Sequence, residues 1–176
     1  MKLHLGCGKK HIPGFIHVDI ENHPHVDHRV AVNALTFAED NSVELIYAAH
    51  VLEHFGRHEV DQVLHEWFRV LQRGGILRLA VPDFEAVSTR YQKTGEISEL
   101  IGLVCGGQRN EYDFHKMIFD EKSLQERLLH AGFTSVKRYD WRNTGHSWLD
   151  DYSQAYLPHM EKESGQLMSL NVEAVK

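Results

Sequence analysis

The stretch "AAHVLEHFGRH" sets His50, Glu53 and His54 in the order H-x-x-E-H. On one continuous helix that spacing turns both imidazoles to the same side, where they can hold zinc while the glutamate serves as a general base. A second group is the "GCG" loop at Gly6, Cys7 and Gly8, whose glycines permit positive φ and a close approach of the backbone to a ligand. A third is Asp19, an acid at the end of an apolar run. His115, in "NEYDFHKMIF", adds an imidazole that titrates near neutral pH when unperturbed.

What these groups can do depends on the elements that carry them. "KLHL" reads as a first strand stopping at the glycine loop, and "FIHVDI" as a second, after the Pro13-Gly14 turn. "RVAVNAL" reads as a third strand with Asn33 near its end, after the histidine-rich connection "ENHPHVDH". "SVELIYAA" is a fourth, apolar enough to be buried on both faces, and His50 follows it directly. Val60, Val63, Leu64, Trp67, Phe68 and Leu71 share one helical face in a predicted helix over residues 58–72, ended by Gly74-Gly75. "ILRLAVP" is strand five. Short helices are predicted around "EAVSTRYQK" and "ISELIGLV", then a break at Gly106-Gly107 that lets the following segment move. Asp120 is placed to cap a helix carrying Leu124 and Leu128, with Gly132 as its stop. "TSVKRYD" and "MSLNVEAVK" are strands six and seven, joined by the aromatic link "GHSWLDDYSQAYLPH".

Strands alternating with helices predict an open, mostly parallel α/β sheet whose ligands bind beyond the carboxyl ends of the strands. The 176 residues suit a single domain spanning 1–176. Charged residues at 25% and hydrophobic ones at 42% are ordinary for a globular chain. A net charge of -6 disfavours nucleic acid as a partner. No apolar run reaches the length of a membrane span, and "MKLHLGCGKK" has no secretory h-region, so a cytoplasmic protein is expected. Cys7 and Cys105 form no C-x-x-C pair and read as free thiols. Fourteen histidines are unusual, but most read as unrelated core and surface imidazoles. Nothing in the composition specifies an oligomeric state.

Taken in order, "LHLGCG", "VDI", "SVELIYAAHVLEHF" and "VLQRGGILRLAVPD" resemble the class I S-adenosylmethionine-dependent methyltransferases, over Lys2 to Asp83. "HKMIFDEKSLQERLLHAGFTSV" is similar to that family's late helix and strand. The resemblance implies a Rossmann-like α/β sheet, mostly parallel with an antiparallel last strand, and S-adenosylmethionine as cofactor. It implies cofactor contacts from Gly6, Cys7, Gly8, Asp19, Ile20, Asn33, Ala34, Ala49 and His50. The Asp19 carboxylate can accept from both ribose hydroxyls, and the Asn33 amide oxygen can take the place of an aspartate that meets the adenine amino group. The segment after strand five would cover the acceptor, with Tyr112, His115 and Lys116 on that surface and His115 as candidate general base; the alternative for His115 is to tie this lid to the sheet. More narrowly, the front end and "SLNVEAVK" resemble a subgroup associated with sugar and surface-polysaccharide biosynthesis, which implies a small-molecule or saccharide-type acceptor.

One departure is plain in the spacing. Only "KKHIPGFIHV" separates Gly8 from Asp19, too little for the helix the family has there. A reduced first helix leaves Lys9, Lys10 or His11 to hold the cofactor's carboxylate, and it keeps open a non-catalytic domain of the same fold that binds or regulates a partner. Two other chemistries fit poorly. The strand before His50 and Gly56 soon after His54 deny H-x-x-E-H its helix, so no metal is expected, and Glu53 and His54 read as packing and polar-network residues. His23, His25 and His28 could gather adventitious metal but read as a solvated loop. "YDFHK", with Ser98 upstream, has the tyrosine-lysine spacing of short-chain dehydrogenases, yet the glycine loop lacks their longer pattern.

Overall fold

The computed structural model describes residues 1–176. Seven strands form the main sheet in the order β3-β2-β1-β4-β5-β9-β6. They are β1 (Lys2–Leu5), β2 (Ile16–Asp19), β3 (His28–Arg29), β4 (Val43–Ala49), β5 (Leu71–Pro82), β6 (Ser135–Arg138) and β9 (Ser169–Val175). β1 to β5 pair in parallel, and β9 lies antiparallel between β5 and β6. This is the expected α/β sheet with its antiparallel last strand, and the chain from Gly6 to Phe15 contains no helix.

Each strand alternates, so the sheet has two unlike faces. Leu3 and Leu5, Val18, Ile46 and Ala48, Leu77, Leu79 and Val81, and Leu170, Val172 and Ala174 point to one side. There they meet α1 (Val60–Val70) and α4 (Glu121–His130) in a core of 28 buried residues. α1 forms because Val60, Val63, Leu64, Trp67 and Val70 recur on one buried face. α4 begins at a capping box in which Asp120 accepts from the Ser123 N–H and the Ser123 hydroxyl accepts from the Asp120 N–H. Each fully buried aliphatic side chain on this face contributes about 2 kcal/mol, which makes it the main source of cohesion.

The other face is polar. His4, His17 and Tyr47 are buried there, with Arg78, Asn171 and Glu173 farther along. No helix covers them. The aromatic link between β6 and β9 does, through two 3₁₀ turns (Trp141–Asn143 and Tyr152–Gln154) and a ribbon of β7 (Tyr156–Leu157) and β8 (Gln166–Leu167). The Tyr47 hydroxyl donates to Asp151 Oδ2 at 2.5 Å, His146 packs on the Tyr47 ring with centroids 4.3 Å apart, and Asn171 Nδ2 donates to the Ser153 carbonyl at 2.8 Å. The link is thereby bolted to the sheet by hydrogen bonds.

Several boundaries differ from expectation. The third strand shrinks to His28–Arg29; residues 31–38 instead form turns held against α1, where Trp67 Nε1 donates to the Val32 carbonyl at 2.8 Å and Glu66 accepts from the Leu35 N–H at 2.8 Å. Those side-chain partners satisfy backbone groups that a longer strand would have used in its ladder. The helix after β4 stops at Val70, and β5 starts at Leu71, so Gly74 and Gly75 lie within β5. Their place coincides with the β4–β5 register shift, and a Cβ on Gly75 would meet the Gln72 carbonyl oxygen at 2.8 Å.

After β5 come α2 (Phe84–Thr94), capped by Asp83 and closed at left-handed Gly95, and the single turn α3 (Ile101–Cys105). The strap from Gly106 to Phe119 then returns across the strand ends. Its Lys116 and Met117 N–H groups donate to the Glu53 carbonyl, and Phe119 bridges to Asp83.

Candidate functional site

At the carboxyl ends of β1 and β2 the glycine loop and Asp19 meet directly. Gly6 and Gly8 have φ of +59° and +50°, in the left-handed region that favours glycine. Gly6 N–H donates to the Val18 carbonyl at 2.8 Å, and Gly8 N–H donates to Asp19 Oδ2 at 2.7 Å. Asp19 Oδ1 accepts from the Glu21 N–H at 2.8 Å, so each oxygen of this buried carboxylate holds one backbone donor and keeps a further lone pair. A Cβ on Gly8 would meet nothing within 4 Å, which leaves open space over the loop. At Gly6 the reason for glycine is different from the expected ligand approach: a Cβ there would lie 2.5 Å from Val51 Cγ2, in the turn that follows β4.

The remaining predicted contacts are arranged around this corner unequally. Cys7 is buried beside Asp19, and burial followed by the Asp19 charge pushes its thiol up to about 12, so it stays a neutral thiol. Ile20 is half-buried and its carbonyl accepts from Arg29 Nε at 3.1 Å. Ala49, also half-buried, ends β4 beside Ile12, Tyr47 and Leu149. Asn33 and Ala34 are exposed on the turns packed on α1, not at a strand end. Of the three side chains proposed for the cofactor's carboxylate, the Lys10 ammonium donates to the Asp150 carbonyl, His11 stacks on His17 at 4.8 Å, and Lys9 is exposed.

His50 turns the other way. It has φ +55°, its Nε2 lies 3.1 Å from Ser169 Oγ, and its ring stacks on Tyr152 at 5.2 Å. Its Nδ1 is 3.3 Å from Glu53 Oε1 without hydrogen-bond geometry. Glu53 has no exposed surface, and neither carboxyl oxygen has a hydrogen-bond partner. Desolvation raises its pKa to about 8 and lowers that of His50 to about 3, so the contact is between neutral groups, not an ion pair. His115 Nε2 stands 3.8 Å from the same Oε1, its Nδ1 is 2.9 Å from the Leu103 carbonyl, and its side chain is 8% exposed. Burial lowers the His115 pKa, more than the Leu103 bond and the Asp113 charge raise it. Tyr112 and Lys116 are exposed on the strap.

The strap also reaches the corner, since Asn110 Nδ2 donates to Glu21 Oε1 at 3.0 Å. Between the strap's base and the aromatic link lies a cleft of about 380 Å³, lined in part by Lys10, Leu103, Tyr152, Tyr156 and Met168, with Glu99, Asp150 and Asp151 as carboxylates. Sequence reasoning named neither this cleft nor Glu53 as a buried orphan. The cleft's only sequence signal was the aromatic content of the link; for Glu53, it was the acid sitting four residues after the end of a buried strand.

The H-x-x-E-H residues do not share a helix: β4 ends at Ala49 and a 3₁₀ turn spans Leu52–His54.

A family profile described as a methyltransferase domain matches residues 13–79. No curated protein matches the chain. Solved structures do. A SAM-dependent methyltransferase from Archaeoglobus fulgidus is 15% identical, with a TM-score of 0.59 and coverage of 99% of this chain and 85% of that one. One from Thermotoga maritima is 14% identical, with a TM-score of 0.60 and coverage of 99% and 81%. The Burkholderia thailandensis 1,6-didemethyltoxoflavin-N1-methyltransferase, solved with 1,6-didemethyltoxoflavin and S-adenosylhomocysteine, is 15% identical, with a TM-score of 0.59 and coverage of 99% and 70%. At these identities the structures show the fold. The profile that matches residues 13–79 is that of a methyltransferase domain, and the fold is the one shared with these S-adenosylmethionine-dependent methyltransferases.

Proposed function

We propose that this protein transfers a methyl group from S-adenosylmethionine to a small-molecule or saccharide-type acceptor, and that the hydrogen-bonded corner of Gly8 and Asp19 holds the donor. The corner carries the reading: a carboxylate fixed by two backbone N–H groups, with lone pairs to spare, stands at the ends of adjacent parallel strands under open space. Two ribose hydroxyls can donate to it. In this reading Gly6, Cys7, Ile20 and Ala49 would line the approach, His50 would border it from the side of Ser169, and the exposed Lys9 would meet the cofactor's carboxylate. Asn33 and Ala34 would reach an adenine only from the exposed turns of 31–38.

When bound, the cofactor supplies an electrophilic methyl on a sulfonium. The chain's own work is alignment and exclusion of water. The cleft suits an acceptor with both faces and hydroxyls: Tyr152 and Tyr156 offer ring surfaces, while Asp150, whose Oδ1 is held by Lys162, keeps its Oδ2 as an acceptor for an O–H group. That combination favours a saccharide-type acceptor. His115 is enclosed and anchored to Leu103, which favours its role as a tie for the strap over that of general base.

A non-catalytic binding or regulatory domain is the second reading, favoured by the missing helix after the glycine loop. Calorimetric titration with S-adenosylhomocysteine separates the two. Saturable binding is expected, weakened in Asp19→Ala by about 1–3 kcal/mol for loss of a charge-assisted bond. Absence of binding to the unmutated protein would overturn the enzyme reading.

A further inference from the structure

We propose that Glu53, His54 and His115 form a binding site for a late first-row divalent cation of the zinc class, which clamps the strap of residues 106–119 to the turn after β4. One ligand atom from each residue lies within 4.8 Å of those of the other two.

Three observations converge on it. Glu53 is wholly buried and both its oxygens lack partners, an arrangement that costs stability unless something is bound there. His54 Nδ1 lies 3.1 Å from the Phe114 carbonyl and His115 Nδ1 lies 2.9 Å from the Leu103 carbonyl. A carbonyl only accepts, so each Nδ1 carries the proton and each ring keeps an unprotonated Nε2. Backbone carbonyls holding the far nitrogen of an imidazole are the usual outer support of a metal-bound histidine. Finally, the His54 and His115 rings meet edge-on with centroids 4.9 Å apart.

Two imidazoles and a carboxylate suit zinc and its neighbours, and leave a coordination position for water. Tetrahedral ligands stand about 3.4 Å apart, so the three must close by roughly 1 Å. The elements permit it, because His54 ends a single 3₁₀ turn and His115 lies on an irregular strap. The H-x-x-E-H spacing thus contributes two donors without a helix, and the third arrives from the strap. His50 is not in the set: its Nε2 is engaged with Ser169 and its Nδ1 stands beside Glu53.

The site does not depend on the methyltransferase reading, and its test uses no cofactor. Tag-free full-length protein, stripped with EDTA, would be titrated with Co²⁺ while visible absorption is followed, then challenged with Zn²⁺. Expected are ligand-field bands saturating at one equivalent, bleaching by Zn²⁺, and a rise in melting temperature with Zn²⁺. Glu53→Gln and His54→Ala should each weaken Co²⁺ binding at least about tenfold, with cooperative melting retained. His23→Ala, in the loop between β2 and β3, should leave the bands unchanged. Bands absent at millimolar Co²⁺, unaltered by Glu53→Gln and His54→Ala, or lost in His23→Ala would overturn the proposal. Since S-adenosylhomocysteine binding is measured separately, either reading can fail while the other stands.

Discussion

Lowering the pH should weaken this fold from its polar sheet face, and His4 allows the size of the effect to be worked out. The ring is 3% exposed between β2 and β4, its Nδ1 has no partner, and its pKa is lowered from 6.5 to about 3, first by burial and then by repulsion from His17, His146, His25 and His11. The sign follows from linkage: unfolded His4 takes up a proton below about pH 6.5, while folded His4 stays neutral down to about 3. The fold therefore has its full stability above pH 6.5 and loses it as the pH falls through that window. Each pH unit costs about 1.4 kcal/mol, so from pH 7.5 to 5.0 this one side chain removes about 2 kcal/mol. His17 and His146 are shifted in the same direction, His146 to about 4, and add to the loss.

Urea unfolding followed by circular dichroism at pH 7.5, 6.5, 5.5 and 5.0 would measure this, with His4→Leu as the comparison. The variant should be about as stable as the parent at pH 7.5, since leucine needs no partner for the orphaned nitrogen. By pH 5.0 it should be the more stable of the two by about 2 kcal/mol. A stability difference that stays constant across the series would refute the argument, because it would mean that His4 takes up the same protons folded and unfolded.

Other consequences are simpler. Gly6→Ala should destabilise by at least about 2 kcal/mol, from left-handed strain plus the approach to Val51, whereas Gly8→Ala should lose only about 1 kcal/mol of stability but bind S-adenosylhomocysteine more weakly; thermal melts and calorimetry read both. Tyr47→Phe removes the donor to Asp151 and should cost about 1–3 kcal/mol. Because Asp151 also organises Ser153, limited proteolysis of that variant should cut first between residues 139 and 157.

The parts of the fold legible in the sequence were those in which local pattern and tertiary burial agree. Val60, Val63, Leu64 and Trp67 recur at helical spacing and do face the core; Asp120 was read as a cap and is one. "RVAVNAL" misled because its apolar residues serve a different partner: Val32 and Leu35 are buried under α1, and Trp67 and Glu66 satisfy their backbone. The Gly8–Asp19 corner was legible as residue types at strand ends, but the bond between them was not, since it depends on how the loop folds back. His54 and His115 were each named from the sequence, but their nearness to one another and to Glu53 was not legible, because the strap that carries His115 returns across the strand ends.

The missing first helix and the histidine-rich strands are best understood together. A helix laid on a sheet normally offers it an apolar stripe. In "KLHL" and "FIHVDI" the residues alternating with Leu3, Leu5, Ile16 and Val18 are His4 and His17, so an apolar stripe on that side would leave polar atoms buried without partners. A chain segment able to supply polar groups at chosen points is needed instead. The link between β6 and β9 does this, placing Asp151 on Tyr47 and His146 against its ring, and Lys10 reaches across to the Asp150 carbonyl. The loop from Gly6 to Phe15 then needs only to turn, and ten residues suffice. Replacing the first helix in this way brings the link's Tyr152 and Tyr156 beside the strand ends, so the feature that departs most from the family pattern also builds the wall of the proposed acceptor cleft.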